Sequence, residues 1–415
     1  MSEFTGSPGT FTGTLTGNRE THFEPLPIAN FTLTTALGRG REAQVLGGES
    51  GLRRCDFPGA EHIDTWIGRV EGVEDVTLPD DLQSYDCRNH RLAYLGLQQD
   101  SFLKSVDGAI ERHGADRVGV IVGTSTSGIE ETERAYTQLA SGNLQMPDWY
   151  NYYQTHNIGS LVRFTAAVTG AQGYSLAVST ACSSSNKVFA SAARALQFNL
   201  CDAVVVGGVD TLCLTTLCGF TSLQLTSQQP CRPCDQQRDG ISIGEAAGFA
   251  LLEWSEVTTD GAQGFLLGYG ESADAHHMSS PHPEGKGAFM AMQQATAMGG
   301  VSPKDVGYIN LHGTGTQAND VSECLAVHNL VGCEVPVSST KGYFGHTLGA
   351  AGIVESLVSV LALQNQRLPE NLNLSELDER ILATVLAESK QTQAHCALSN
   401  SFGFGGNNCS LLLGI

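Results

Sequence analysis

Charge is scarce in this 415-residue chain, and positive charge scarcest: charged residues make up 16%, with 23 Lys plus Arg against 43 Asp plus Glu, a formal net charge of −20. Without clustered Lys and Arg a protein cannot neutralise a phosphate backbone, which argues against a nucleic-acid partner. Any acidic protein partner must therefore find a local basic patch. No segment approaches the roughly 18 consecutive apolar residues of a membrane-crossing helix, so no membrane association is expected. The start of the chain lacks the charged-then-apolar pattern of a secretory signal, and the 12 cysteines are scattered. They read as reduced thiols of a cytoplasmic protein rather than as a disulfide framework. Cys231-x-x-Cys234 has no second such pair to complete a four-ligand zinc site, so no metal is expected there.

What the chain does have is a globular composition, 41% hydrophobic with 48 glycines, and enough length for two or three domains or one large duplicated one. Residues 1–27, rich in Gly, Thr and Ser, read as a flexible leader. From there strands and helices alternate: "DRVGVIVGTSTSG" is a strand and a turn, "YSLAVST" a strand, "SSSNKVFASAARALQ" a helix, and "DAVVVGGVD" and "AAGFALLEW" are strands. That order signals an α/β fold. A similar series returns later, with "VGYINLHGTGT" resembling "VGVIVGTSTSG" and "PVSSTKGYFGHTLGAAGIVESLVSVLAL" resembling the stretch around Cys182. The chain therefore divides into residues 28–262 and residues 263–415, two related halves.

Cys182 sits where an apolar strand ends and a small-residue helix begins. Unpaired amides and the positive end of the helix dipole favour thiolate over thiol there. Its neighbours Thr180, Ala181, Ser183, Ser184 and Ser185 are small enough to admit a bulky acyl group. The other cysteines read as small buried hydrophobes. A nucleophile needs partners, and the second half offers His312 in "NLHGTGTQAND" and Lys341 with His346 in "STKGYFGHTLGAAG", each after an apolar strand and opening onto glycines. His22, His62, His113 and His395 lack that setting and read as ordinary side chains. The closing "SNSFGFGGNN" supplies glycine-flanked amides suited to an oxyanion hole.

From about Phe31 to Ile415 these stretches, with "RPCDQQRDGISIGEAAG" between them, resemble in content and order the β-ketoacyl-acyl carrier protein synthases of the elongating type. The resemblance implies a thiolase-like fold of duplicated α-β-α-β-α layers with mixed five-stranded sheets. It implies that Cys182 carries the growing acyl chain as a thioester, and that the amides of Cys182 and Phe404 form the oxyanion hole. His312 and His346 would contact the malonyl thioester carbonyl, and decarboxylation and condensation would follow with no cofactor. Lys341 and Glu323 match a pair that organises the site electrostatically. Thr314 and Thr316 match threonines that bond the pantetheine arm, and Phe404 also matches a gating aromatic. Ile129 and Phe220 are expected to line the acyl pocket. Asn310, Glu355, Ser399 and Asn400 match residues that hold a structural monovalent cation in some relatives.

By the same resemblance the partners are an acyl carrier protein bearing malonyl and acyl thioesters and a second subunit, in a homodimer or a heterodimer with a related chain. Arg88 and Arg91, three apart on one helix face, are the expected carrier-docking cations. The chain departs from the common pattern at "GGNN", where Thr-Asn usually follows the glycines, and at Cys234, which replaces an aromatic. A non-catalytic chain-length subunit of the same fold is the alternative. Such subunits lack the cysteine, and the retained Cys182, His312, Lys341 and His346 favour the enzyme.

Overall fold

A computed structural model describes residues 23–44, 47–141, 145–254 and 261–415. Of the expected leader, residues 1–22 lie outside the described residues. Its boundary at 27 needs correction, because the first strand, β1, spans Leu26–Thr35. Leu26 and Ile28 are buried and pair with Leu266 and Gly264, which draws the chain into the sheet earlier than composition suggests.

The first half contributes β1, β2 (Val118–Gly123), β3 (Ser175–Val178), β4 (Ala203–Asp210) and β5 (Ala246–Glu253). The second contributes β6 (Gly264–Ala273), β7 (Tyr308–Asn310), β8 (Pro336–Ser338), β9 (Cys396–Gly403) and β10 (Asn407–Gly414). The spatial order is β3-β2-β4-β5-β1 in one and β8-β7-β9-β10-β6 in the other, so each half places its strands third, second, fourth, fifth, first. The first three in each order are parallel and the last two antiparallel to their neighbours. The two mixed sheets are not separate. β1 and β6 pair at Leu26–Ile28 and join them edge to edge.

The helices are α1 (Arg88–Leu97), α2 (Phe102–His113), α3 (Ile129–Ala140), α4 (Ser160–Thr169), α5 (Ser184–Gln197), α6 (Leu214–Ser222), α7 (Lys286–Met298), α8 (Gln317–Val331) and α9 (Ala351–Gln364). α5 and α9 form the middle layer and share one apolar core with strands of both sheets. α1, α2 and α4 cover the outer face of the first sheet, and α7 and α8 that of the second. Being covered on both faces explains why β2 and β4 read as unbroken apolar runs rather than alternating ones. α9, apolar all round, is buried along its length except at Gln364. A Cβ on Gly352 would lie 2.5 Å from Asn186 N, so glycine there lets the α9 backbone touch the α5 backbone. That contact brings the start of α5, with Cys182, against the second half.

Candidate active site

Cys182 follows β3 and precedes α5, on a turn where Ala181 has φ 53°. The left-handed region costs an L-residue roughly 1–2 kcal/mol, so the surroundings must enforce it. Ser184 Oγ accepts from Thr180 N at 2.9 Å and donates to Ala181 O at 2.5 Å, and Ser125 Oγ donates to the same carbonyl at 3.2 Å. The serines and threonine that look merely small in the sequence thus hold the strained turn that presents the thiol.

His312 arrives on the loop between β7 and α8, and His346 on the loop leading to α9. The Cys182 Sγ and one ring nitrogen from each histidine lie within 4.8 Å of one another. The imidazoles are nearly perpendicular, with centroids 5.3 Å apart, and Phe402 packs against His312 at 6.1 Å. His346 Nδ1 accepts the Leu348 N–H at 3.0 Å, and His312 Nδ1 faces Lys341 Nζ at 3.4 Å. With both Nδ1 atoms facing donors, each neutral ring carries its proton on Nε2. Burial, then the Lys341 charge, then for His312 also His346, hold both imidazoles well below their ordinary range, so both are neutral donors near neutral pH.

A thiol beside two imidazoles also has the make-up of a metal site. The outer contacts do not fit one, since a metal-bound histidine donates from its other nitrogen and here both face N–H donors.

The thiolate expectation needs correction. Burial pushes the Cys182 thiol up to about 11, although Lys341 and the backbone N–H groups of Phe404 and Cys182 favour the anion. The resting nucleophile is therefore a thiol, because desolvation outweighs the amides at the start of α5. Those same two amides are the expected oxyanion donors, and both reach the sulfur.

Lys341 does not pair with Glu323 as expected. Its Nζ donates to Glu355 of α9 and to the His312 carbonyl, with Lys341 and Glu355 both buried. Glu323 accepts the N–H groups of His312 and Gly313, each at 2.8 Å, and the Asn400 amide at 3.1 Å. Burial pushes its carboxyl up to about 7. Two carboxylates thus divide the work assigned to one, Glu355 meeting the lysine and Glu323 holding the His312 backbone.

Among the four expected cation-site residues, Asn310 Oδ1 and Glu355 Oε2 are buried acceptors with no hydrogen-bond partner. Asn310 pairs with Ser399 across β7 and β9. The Asn400 side chain, in contrast, is engaged by Glu323 and Ser410.

Cys182, His312, His346, Thr314, Thr316, Phe220 and Phe404 line one cavity of about 330 Å³. Thr314 and Thr316 bond each other at 2.9 Å, and Phe220 and Phe404 stand 5.9 Å apart. Ile129, half-buried at the start of α3, is not among the lining residues. The sequence reading missed Asp274, Ser279 and Ser280, which line the same cavity from a segment with no periodic signal.

The docking pair also needs correction. Arg88 is 7% exposed and donates to both oxygens of buried Glu245, at 2.7 and 3.0 Å, and to Glu74. Arg91 is paired with Asp86 at 2.5 and 2.6 Å. Spacing on the helix is as expected, but one arginine faces the core and the other is already neutralised.

The comparisons agree with this geometry. Residues 81–257 match the family "Beta-ketoacyl synthase, N-terminal domain" and residues 263–375 match "Beta-ketoacyl synthase, C-terminal domain". The chain is 31% identical over 395 residues to 3-oxoacyl-[acyl-carrier-protein] synthase 2 of Vibrio cholerae, covering 89% of this chain and 92% of that one. It is 36% identical over 315 residues to the enzyme of the same name from Rhizobium meliloti, covering 71% and 73%. Among solved structures it resembles the ketosynthase ApeO of Xenorhabdus doucetiae, determined in complex with its chain length factor ApeC, with TM-score 0.85, 38% identity and coverage of 95% and 99%. Two matched domains in series, enclosing a cysteine and two histidines in one cavity, make this chain an enzyme of the β-ketoacyl synthase family.

Proposed function

We propose that the chain joins an acyl group held on Cys182 to a malonyl unit carried by an acyl carrier protein. The observation that supports this most directly is the convergence of Cys182 Sγ with one nitrogen each of His312 and His346. In the first half-reaction the thiol attacks an acyl thioester, its proton leaves with the departing carrier thiol, and the amides of Cys182 and Phe404 hold the tetrahedral oxygen. A malonyl thioester then enters the cavity along Thr314 and Thr316, and its carbonyl oxygen meets the Nε2–H groups of His312 and His346. Carbon dioxide leaves, and the two donors stabilise the enolate, a charge that develops only along the reaction path. The enolate carbon attacks the acyl-cysteine carbonyl, the C–S bond breaks, and the sulfur takes a proton from water. The product is a 3-ketoacyl thioester on the carrier.

Cys182 acylation, followed by mass spectrometry and by loss of condensation in Cys182→Ala, tests the reading. Condensation by the alanine variant at the wild-type rate would end it.

A second ketosynthase-fold chain, identical or related, is the proposed subunit partner. β3 is the free edge of its sheet and only partly buried, an arrangement that offers unpaired backbone groups to another strand. The similar ketosynthase from Xenorhabdus doucetiae was solved with a chain length factor. Asn310 and Glu355, whose buried Oδ1 and Oε2 lack hydrogen-bond partners, are the residues we assign to a monovalent cation. Among the described residues no helix is long and apolar enough to cross a membrane.

A further inference from the structure

Two segments from distant parts of the chain line the cavity that holds Cys182, Asp239–Ile241 and Thr314 with Thr316–Asn319, and they pack on one another, since a Cβ on Gly315 would lie 2.7 Å from the Gly240 carbonyl oxygen. Between them lies Arg238, whose side chain is 0% exposed. Its Nε donates to the Thr316 carbonyl at 3.2 Å and one terminal nitrogen to the Gln317 carbonyl at 3.3 Å. The other donates to the Asp235 carbonyl at 2.8 Å and to Asp378 at 2.7 Å, and Asp320 lies 3.3 Å from Nε. The tie is reciprocal, because Gln317 Nε2 donates to the Arg238 carbonyl at 2.9 Å. The Arg238 fork thus fastens the backbone that carries Thr316 to the adjoining segment.

We infer that Arg238 is a positioning residue that fixes the place of Thr316 in the channel receiving the thioester arm. It touches no reacting atom and acts through Thr316, the cap of α8, whose hydroxyl bonds Thr314. This rests on the reading of the cavity as an arm channel and adds the residue that holds its threonine in place. A lysine in its place keeps the charge facing Asp320 and Asp378 but has no planar fork to span both carbonyls. The channel then loosens at the level of Thr316 while Cys182, on another segment, is unaffected.

The test uses the full chain and free pantetheine as probe, measuring how much pantetheine halves the rate of Cys182 alkylation by iodoacetamide. In Arg238→Lys the half-protecting concentration rises about tenfold or more, while the alkylation rate without pantetheine stays within about twofold of wild type. A half-protecting concentration equal to wild type, an unprotected rate that shifts as much as the protected one, or a wild type that pantetheine never protects overturns the inference. Should the lysine variant not fold, Gln317→Ala removes the reciprocal tie from an exposed side chain, and an increase of about two- to fivefold is expected. No increase overturns the proposal. Loss of condensation in otherwise protected wild type would count against the reaction assigned above and not against the channel.

Discussion

His346 stands at 87° to His312 with ring centroids 5.3 Å apart, and each ring has its Nδ1 turned to an N–H donor. The arrangement fixes both protons on the inward nitrogens, with the Leu348 N–H and the Lys341 ammonium as the outer donors. Neutral donors, rather than imidazolium ions, are what the enolate meets. The first prediction follows from this.

Because both histidines are held well below their ordinary range by burial and the Lys341 charge, they gain a proton only at a pH lower than a free imidazole would. As pH falls, both rings, followed by the NMR shifts of their carbon-bound protons, therefore stay neutral past about pH 6.5, the ordinary imidazole value. A ring that is half protonated at that value would contradict the arrangement. Replacing either ring by alanine removes one donor and is expected to slow decarboxylation by about 10²- to 10³-fold. Acyl transfer to Cys182, measured by mass spectrometry, should persist in His312→Ala.

Cys182 gives the second prediction. Its thiol is pushed up to about 11, and the thiolate fraction grows as pH rises towards that value. Alkylation of the resting enzyme should accelerate steadily from about pH 7 to about pH 10, since the thiolate is the reacting form. A rate that has levelled off by about pH 8 would reveal an anion already present in the resting site.

Glu323 supplies the third. It accepts the N–H groups of His312 and Gly313, so Glu323→Ala leaves two buried backbone donors without a partner. Each is expected to cost about 1–3 kcal/mol, read as a lower denaturation midpoint, together with reduced condensation as the His312 backbone shifts. Glu323→Gln keeps one acceptor oxygen and should lose less on both measures.

Arg88 and Arg91 separate in the fourth. Reversing Arg88 to glutamate buries a second carboxylate against Glu245 and is expected to cost about 3–5 kcal/mol of stability. Arg91→Glu breaks a half-exposed pair with Asp86, worth at most about 1 kcal/mol. Chemical denaturation distinguishes them, and equal midpoints would show that the ion pair to Glu245 does not hold Arg88 in place.

Much of the molecule was legible before any coordinates. The apolar runs of β2 and β4, the helix after Cys182 and the second copy of that series lie in short windows, where local periodicity reports burial. Four residues of the cavity were legible too, because Cys182, His312, His346 and Phe404 each stand beside the glycines or small residues that a strand-end turn requires. Signals of this kind live in neighbouring positions, so a linear string carries them.

The errors share a different cause. Arg88 on α1 meets Glu245, 157 positions away, and Lys341 meets Glu355 rather than Glu323 because α9 runs between the two sheets. Ile129 begins a helix whose start is not on the cavity wall, and the Cys182 thiol is raised because the second half covers it. The sequence alone therefore determined the family, the succession of its main strands, and the cysteine and two histidines that meet in the cavity. Which charge neutralises which, and whether the nucleophile rests protonated, was decided only when the two halves closed on one another, since pairing and desolvation depend on distance in space rather than along the chain.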